Sequence, residues 1–111
     1  MNYCQDGIEV YYGTEKQQYT YASIYGHYEF QSGAVNGRPY FKMGIYGLWW
    51  DGIKNWWISL DSSKGQSSGY AYYMKDVFCP HQLTESNWLI VDDGNWRDAG
   101  KDLGISCEYV F

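Results

Sequence analysis

Two pairs of tryptophans flank a short polar turn in Leu48-Trp49-Trp50-Asp51-Gly52-Ile53-Lys54-Asn55-Trp56-Trp57. The chemistry such a stretch offers is recognition. An indole stacks on the apolar C–H face of a sugar ring, and nearby carboxylate and amide groups take the hydroxyls; Asp51 and Asn55, with Lys54, are placed for that second role. On an extended strand, neighbouring side chains point to opposite faces. If Trp50 lies across the turn from Trp56, those two share one face and Trp49 and Trp57 share the other. A covered indole buries about 150–250 Å², so an uncovered same-face pair demands a partner. Either both faces are covered, one by the main core and one by residues 61–69 or a neighbouring strand, or one pair forms an aromatic platform. A third arrangement is a protein interface, where Tyr, Trp and Arg dominate binding energy.

Other residues with chemical potential are less well placed. Asp92-Asp93-Gly94-Asn95, with Asp98 and Asp102, gathers oxygen ligands of the kind calcium takes. Their spacing does not match the calcium-loop pattern and fits a hairpin turn with solvated carboxylates. Cys79-Pro80-His81 sets a thiol two residues from an imidazole, but zinc needs two further ligands and the one other histidine is His27. A cysteine nucleophile would also need an orienting third group. Thirteen acidic residues offer many carboxylate pairs for glycoside hydrolysis, none in a recognisable context. Walker, nucleophile-elbow, zincin and dinucleotide-binding motifs are missing from the sequence, which contains no N-x-[ST] sequon either. The expectation is no catalytic residue, no metal and no cofactor.

These residues sit in a chain of 111, enough for one core, so residues 1–111 read as a single domain. A formal charge of −5, with eight scattered basic residues, argues against a nucleic-acid partner. It also weakens attraction to an anionic membrane surface. No apolar run approaches a membrane span, and no secretory core follows Met1, so the chain reads as a mature domain without membrane insertion. Of three cysteines, Cys4 and Cys107 lie near the termini, which often meet in a domain. A Cys4–Cys107 disulfide would close a loop worth about 4–5 kcal/mol in the chain-entropy model. Cys79–Cys107 is an alternative, as are three reduced thiols, and spacing does not choose among them.

The elements that must position these residues are strands. Thirteen Tyr, six Trp and four Phe favour pleated surfaces, while Leu occurs only at 48, 60, 83, 89 and 103. No helical periodicity persists for three turns. Strand-like runs occupy residues 8–12, 24–30, 39–43, 45–50, 56–60, 70–74, 88–91, 95–96 and 103–109. Residues 61–69 hold no apolar side chain and read as an exposed loop, and 76–86 is irregular with room for one helical turn. Asn36-Gly37 and Asp93-Gly94 are turn dipeptides, the second fit for a two-residue hairpin. The fold expected is all-β: one antiparallel sandwich or barrel of about 7–9 short strands with at most one short helix.

Val35-Asn36-Gly37-Arg38-Pro39-Tyr40-Phe41-Lys42, Leu48-Trp49-Trp50, Asn55-Trp56-Trp57-Ile58, Gly69-Tyr70-Ala71-Tyr72, Cys79-Pro80 and Trp88 follow one another in an order with a known counterpart. It resembles the aromatic-rich repeat with NGRP, WWI and CP elements in extracellular proteins of marine invertebrates, algae and protists. The chain departs from it at Ser59, where that family tends to show Gly. The resemblance implies an extracellular all-β module for recognition or assembly, and brings no functional residues with it. The expectation is therefore a non-enzymatic, secreted or cell-surface module that binds a glycan through Trp49, Trp50, Trp56 and Trp57, with Asp51 and Asn55 as polar readers. The competing expectation is a structural subunit of a filament, matrix or adhesive whose partner is another copy of itself.

Overall fold

The computed structural model describes residues 6–11, 22–100 and 103–107, with Ala22 and Cys107 through their backbones. Nine strands form one antiparallel sheet curled into a half-barrel: β1 (Ile8–Tyr11), β2 (Gly26–Phe30), β3 (Phe41–Met43), β4 (Tyr46–Trp50), β5 (Asn55–Leu60), β6 (Ala71–Met74), β7 (Leu89–Asp92), β8 (Asn95–Asp98) and β9 (Gly104–Cys107). The strand order is β8-β7-β6-β5-β4-β3-β2-β1-β9, a meander from β1 to β8 with β9 returning beside β1. Helical structure among the described residues is confined to 3-10 turns at Ala22–Ile24, Asp61–Ser63 and Pro80–Gln82. The all-β expectation holds, and the nine strands fall where the alternation of the sequence put them. Some boundaries move: Ile24 belongs to a 3-10 turn, not to the strand that follows, Pro39 and Tyr40 precede their strand, and the strand from Asn95 runs on to Asp98.

Period-2 alternation sorts the side chains. On the inner face, Phe41, Leu48, Ile58, Ala71 and Ile90 stand in register across five strands. Ile8, Val10 and Tyr28 continue that face across β1 and β2, and all three are fully buried. Loop residues Ile24, Leu83, Trp88, Ala99 and Leu103 complete the core from off the sheet. The Tyr28 hydroxyl donates to the Ile24 carbonyl at 2.7 Å, so the largest polar group of that end is satisfied. Packing of the turn at Pro80–Gln82 also explains the thiol–imidazole neighbours. His81 lies edge-on to Phe41 with ring centroids 5.7 Å apart, and burial lowers its pKa. Cys79 is buried at the head of the same turn. Cys4 and the Cys107 side chain lie outside the described residues, and so does the Cys4–Cys107 pairing.

Turn chemistry closes the strands as the dipeptides required. Asn36 and Gly37 both have positive φ, 52° and 82°, between the bridged Val35 and Arg38. Asp93 and Gly94, at 52° and 80°, make the same mirror-image turn between β7 and β8. The acidic run is thereby spent locally: Asp92 accepts from Arg97 at 2.8 Å, and Asp98 accepts from the Gly100 N–H at 2.8 Å.

Candidate functional site

The hairpin β4–β5 pairs Trp50 with Trp56 and Trp49 with Trp57, the register on which the two-face argument rested. Trp50 and Trp56 belong to the inner core, their ring centroids 6.0 Å apart. Arg38 lies over the Trp50 ring at 3.9 Å, a cation–π contact anchored by the Asp76 carboxylate at 2.7 Å. Trp49 and Trp57 point to the outer face, and there the expectation of an exposed platform fails. Relative exposures are 0% for Trp49, 4% for Trp50, 0% for Trp56 and 6% for Trp57. Four rings this buried do not form the exposed platform by themselves. The arrangement with both faces covered is the one the molecule adopts.

What covers the outer face is the loop 61–69, as its position after β5 allowed. The Trp49 indole N–H donates to the Gln66 carbonyl at 2.9 Å. Small residues make this approach feasible: Gly47 and Ser59 face each other beneath the loop. A Cβ on Gly69 would collide with the Ser59 Cβ and meet the Ile58 carbonyl oxygen at 2.8 Å. Asn36 ties the same loop to the hairpin, donating to the carbonyls of Trp50 at 2.9 Å and Gly65 at 3.0 Å.

Asp51 is likewise structural and not a polar reader. Its carboxylate is 6% exposed and saturated by donors. Oδ1 accepts the backbone N–H groups of Ile53 (2.8 Å), Lys54 (2.9 Å) and Asn55 (3.1 Å). Oδ2 accepts the Trp57 indole N–H and the Ser67 hydroxyl, each at 2.9 Å. Gly52, at φ 84°, supplies the left-handed residue that lets the turn fold back on that carboxylate. Burial alone would raise the Asp51 pKa, but the Trp57 indole and the turn N–H groups outweigh it and hold the group down to about 2.

The uncovered part of the outer face lies further along the sheet. Cross-strand pairs Trp57–Tyr72 and Tyr72–Leu89 carry the outer row from β5 to β7, and Val91–Trp96 leads to β8. Three rings meet there: Trp57 and Tyr72 at 5.0 Å, Tyr72 and Trp96 at 4.8 Å and 81°, Trp57 and Trp96 at 5.9 Å and 66°. Edge-to-face geometry fixes Trp96 against the other two while leaving it 44% exposed. Together with Lys54, Asn55, Met74 and Leu89 these rings line a cleft of about 320 Å³, the lower end of the range for small-ligand sites.

Asn55 is the one expected reader that faces this cleft. The residue is 7% exposed, and its Oδ1 has no hydrogen-bond partner among the described residues. A buried amide oxygen without a donor costs about 1–3 kcal/mol unless something supplies one. Of the six residues named from the sequence, then, Trp57 and Asn55 form part of the cleft, Trp49, Trp50, Trp56 and Asp51 hold the hairpin, and Tyr72, Met74, Leu89 and Trp96 were missed. The signal for them was alternation on β6, where Tyr72 and Met74 share the face opposite the buried Ala71 and Tyr73. No group of histidine, cysteine and acidic residues suited to a metal occurs among the described residues. No helix among them is long and apolar enough to cross a membrane. No known protein family, curated protein or solved structure matches the chain.

The depressed Asp51 pKa has a measurable consequence. A folded-state value of about 2 lies below the ordinary aspartate value, so ionised Asp51 contributes its full stability above about pH 4 and loses it as pH falls towards 2. Urea unfolding of the Asp51→Asn variant should show a loss of about 2–3 kcal/mol at pH 7 and a flatter acid limb than the parent between pH 4 and 2. Parallel acid limbs would show that the carboxylate does not carry this linkage.

Proposed function

We propose that the chain is a non-enzymatic extracellular binding module whose ligand is a carbohydrate, held in the cleft of Trp57, Tyr72 and Trp96. The observation that carries this reading is an aromatic cleft lined by Asn55, whose buried Oδ1 has no hydrogen-bond partner among the described residues. A sugar ring meets both demands at once. Its C–H face covers the exposed part of Trp96, and a small rotation of the Asn55 side chain, which opens Oδ1 to the cleft, lets one of its hydroxyls donate to the amide. Desolvating an aromatic wall favours association without strong directionality, while a single buried acceptor sets orientation. Compared with the platform expected from the sequence, the ligand class is retained and the rings that carry it change.

Trp96 provides the test, because it sits on the edge strand β8, whose four residues are all exposed. A glycan array followed by tryptophan-fluorescence titration should find a ligand, and Trp96→Ala should weaken it at least about tenfold, or about 1.4 kcal/mol. The variant should still unfold cooperatively, losing about 1–3 kcal/mol of stability with its two ring contacts. Silence across plant, algal and animal glycans would sink the reading. Concentration-dependent light scattering with new burial of Trp96 would replace it with self-assembly.

The extracellular part of the proposal draws on Cys79. Its sulfur is buried and engaged, and β9, which ends at Cys107, packs against the turn that Cys79 heads. A Cys79–Cys107 disulfide would tie the edge strand β9 to that turn and place the chain in an oxidising compartment. Peptide mapping under non-reducing conditions should recover the Cys79 and Cys107 peptides as one linked species. Two separately alkylated peptides would remove this support.

A further inference from the structure

The sugar-binding reading leaves the charge of the ligand open, and one residue of the cleft bears on it. Lys54 is the only charged side chain in the lining; the rest are Asn55, Trp57, Tyr72, Met74, Leu89 and Trp96. It is exposed at the rim, and its backbone N–H is bound to Asp51 Oδ1 at 2.9 Å, so its stem starts from a fixed point. No ion pair joins it to Asp51, whose two carboxylate oxygens are taken by three backbone N–H groups, the Trp57 indole and the Ser67 hydroxyl.

The other cations show how unusual this is. Arg38 pairs with Asp76, Lys42 and Lys64 with Asp61, Lys75 with Glu85, and Arg97 with Asp92. Among the described residues Lys54 alone has no carboxylate partner, in a chain whose formal charge of −5 supplies acidic groups in excess. A lone ammonium beside stacked rings and an unpaired amide acceptor is complementary to a sugar unit that carries its own anion.

We infer that the cleft selects an anionic sugar unit, bearing a carboxylate or a sulfate ester, with Lys54 reading the charge and Asn55 a hydroxyl. This rests on the carbohydrate reading above. The ring still stacks on Trp96, so charge sets preference and the aromatic wall sets most of the affinity. An ammonium at an exposed rim works through a partly solvated pair, so the preference is modest and salt-sensitive.

The experiment compares ligands that share a skeleton and differ in charge. Two pairs, oligogalacturonate with its fully methyl-esterified form and a sulfated galactan oligosaccharide with its desulfated form, are titrated against the parent chain and Lys54→Gln at low ionic strength and at high salt. The expected result is about threefold to tenfold tighter binding of the free acid than of the methyl ester by the parent. High salt and Lys54→Gln should each close that gap between acid and ester. A gap seen for the sulfated oligosaccharide in place of the acid supports the inference and identifies the anion. Equal binding within both pairs by the parent overturns the anionic preference and leaves the sugar reading standing. Binding of none of them, together with an empty glycan array, overturns both.

Discussion

A carboxylate with five donors sits at the turn between β4 and β5, and the outer face of the sheet is organised from it. Asp51 collects three backbone N–H groups of its own turn, the indole of Trp57 and the hydroxyl of Ser67. Hydrogen bonds to an ionised acceptor are roughly twice as strong as neutral ones, and here one acceptor links three parts of the chain. The turn bonds fix the register of the hairpin. The indole bond fixes the plane of Trp57. The Ser67 bond draws loop 61–69 down over Trp49, where the Gln66 carbonyl takes the second indole N–H. Removing the charge from Asp51 would loosen all three together.

The proposed function follows from where that loop stops. It covers the outer face at Trp49 but not across β6 to β8, where Tyr72, Leu89 and Trp96 continue the same row. Trp57 stands at the border, covered by the hairpin network on one side and walling the cleft on the other. Asn55 and Lys54 are its neighbours in the turn, so the element that stabilises the sheet also fixes the polar groups of the proposed site. Stability and the proposed recognition share a backbone there, while the exposed ring, Trp96, stands on an edge strand whose four residues are all exposed.

Much of the fold was legible because its devices are local. Asp93-Gly94 and Asn36-Gly37 announce mirror-image turns, alternation in Tyr70-Ala71-Tyr72-Tyr73-Met74 announces a two-faced strand, and the symmetric Trp pairs announce their own register. The site was less legible. A loop that covers Trp49 through a backbone carbonyl leaves no side-chain signature, so residues 61–69 read only as exposed. Asp51 followed by Gly looks like any turn aspartate, and its burial depends on Ser67, sixteen positions away. Trp96 reaches Trp57 only through the order of four strands, a long-range pairing that spacing does not encode. The residues quoted for the family resemblance have structural duties of the same kind: Asn36 and Arg38 brace the hairpin through Trp50, Trp56 fills the core, and Cys79-Pro80 opens a 3-10 turn.

The central claim is that the hairpin tryptophans are closed in by the Asp51 network while Trp96, packed on Trp57, faces solvent and the proposed ligand. Hydrogen exchange of the indole N–H groups in ¹⁵N-labelled protein tests it most directly. The Trp49 and Trp57 indoles, bonded to Gln66 and Asp51, should exchange slowly, at rates set by opening of the sheet. The Trp96 indole should exchange at once and be the resonance that ligand shifts. Rapid exchange at Trp49 or Trp57 in the folded protein would contradict the account.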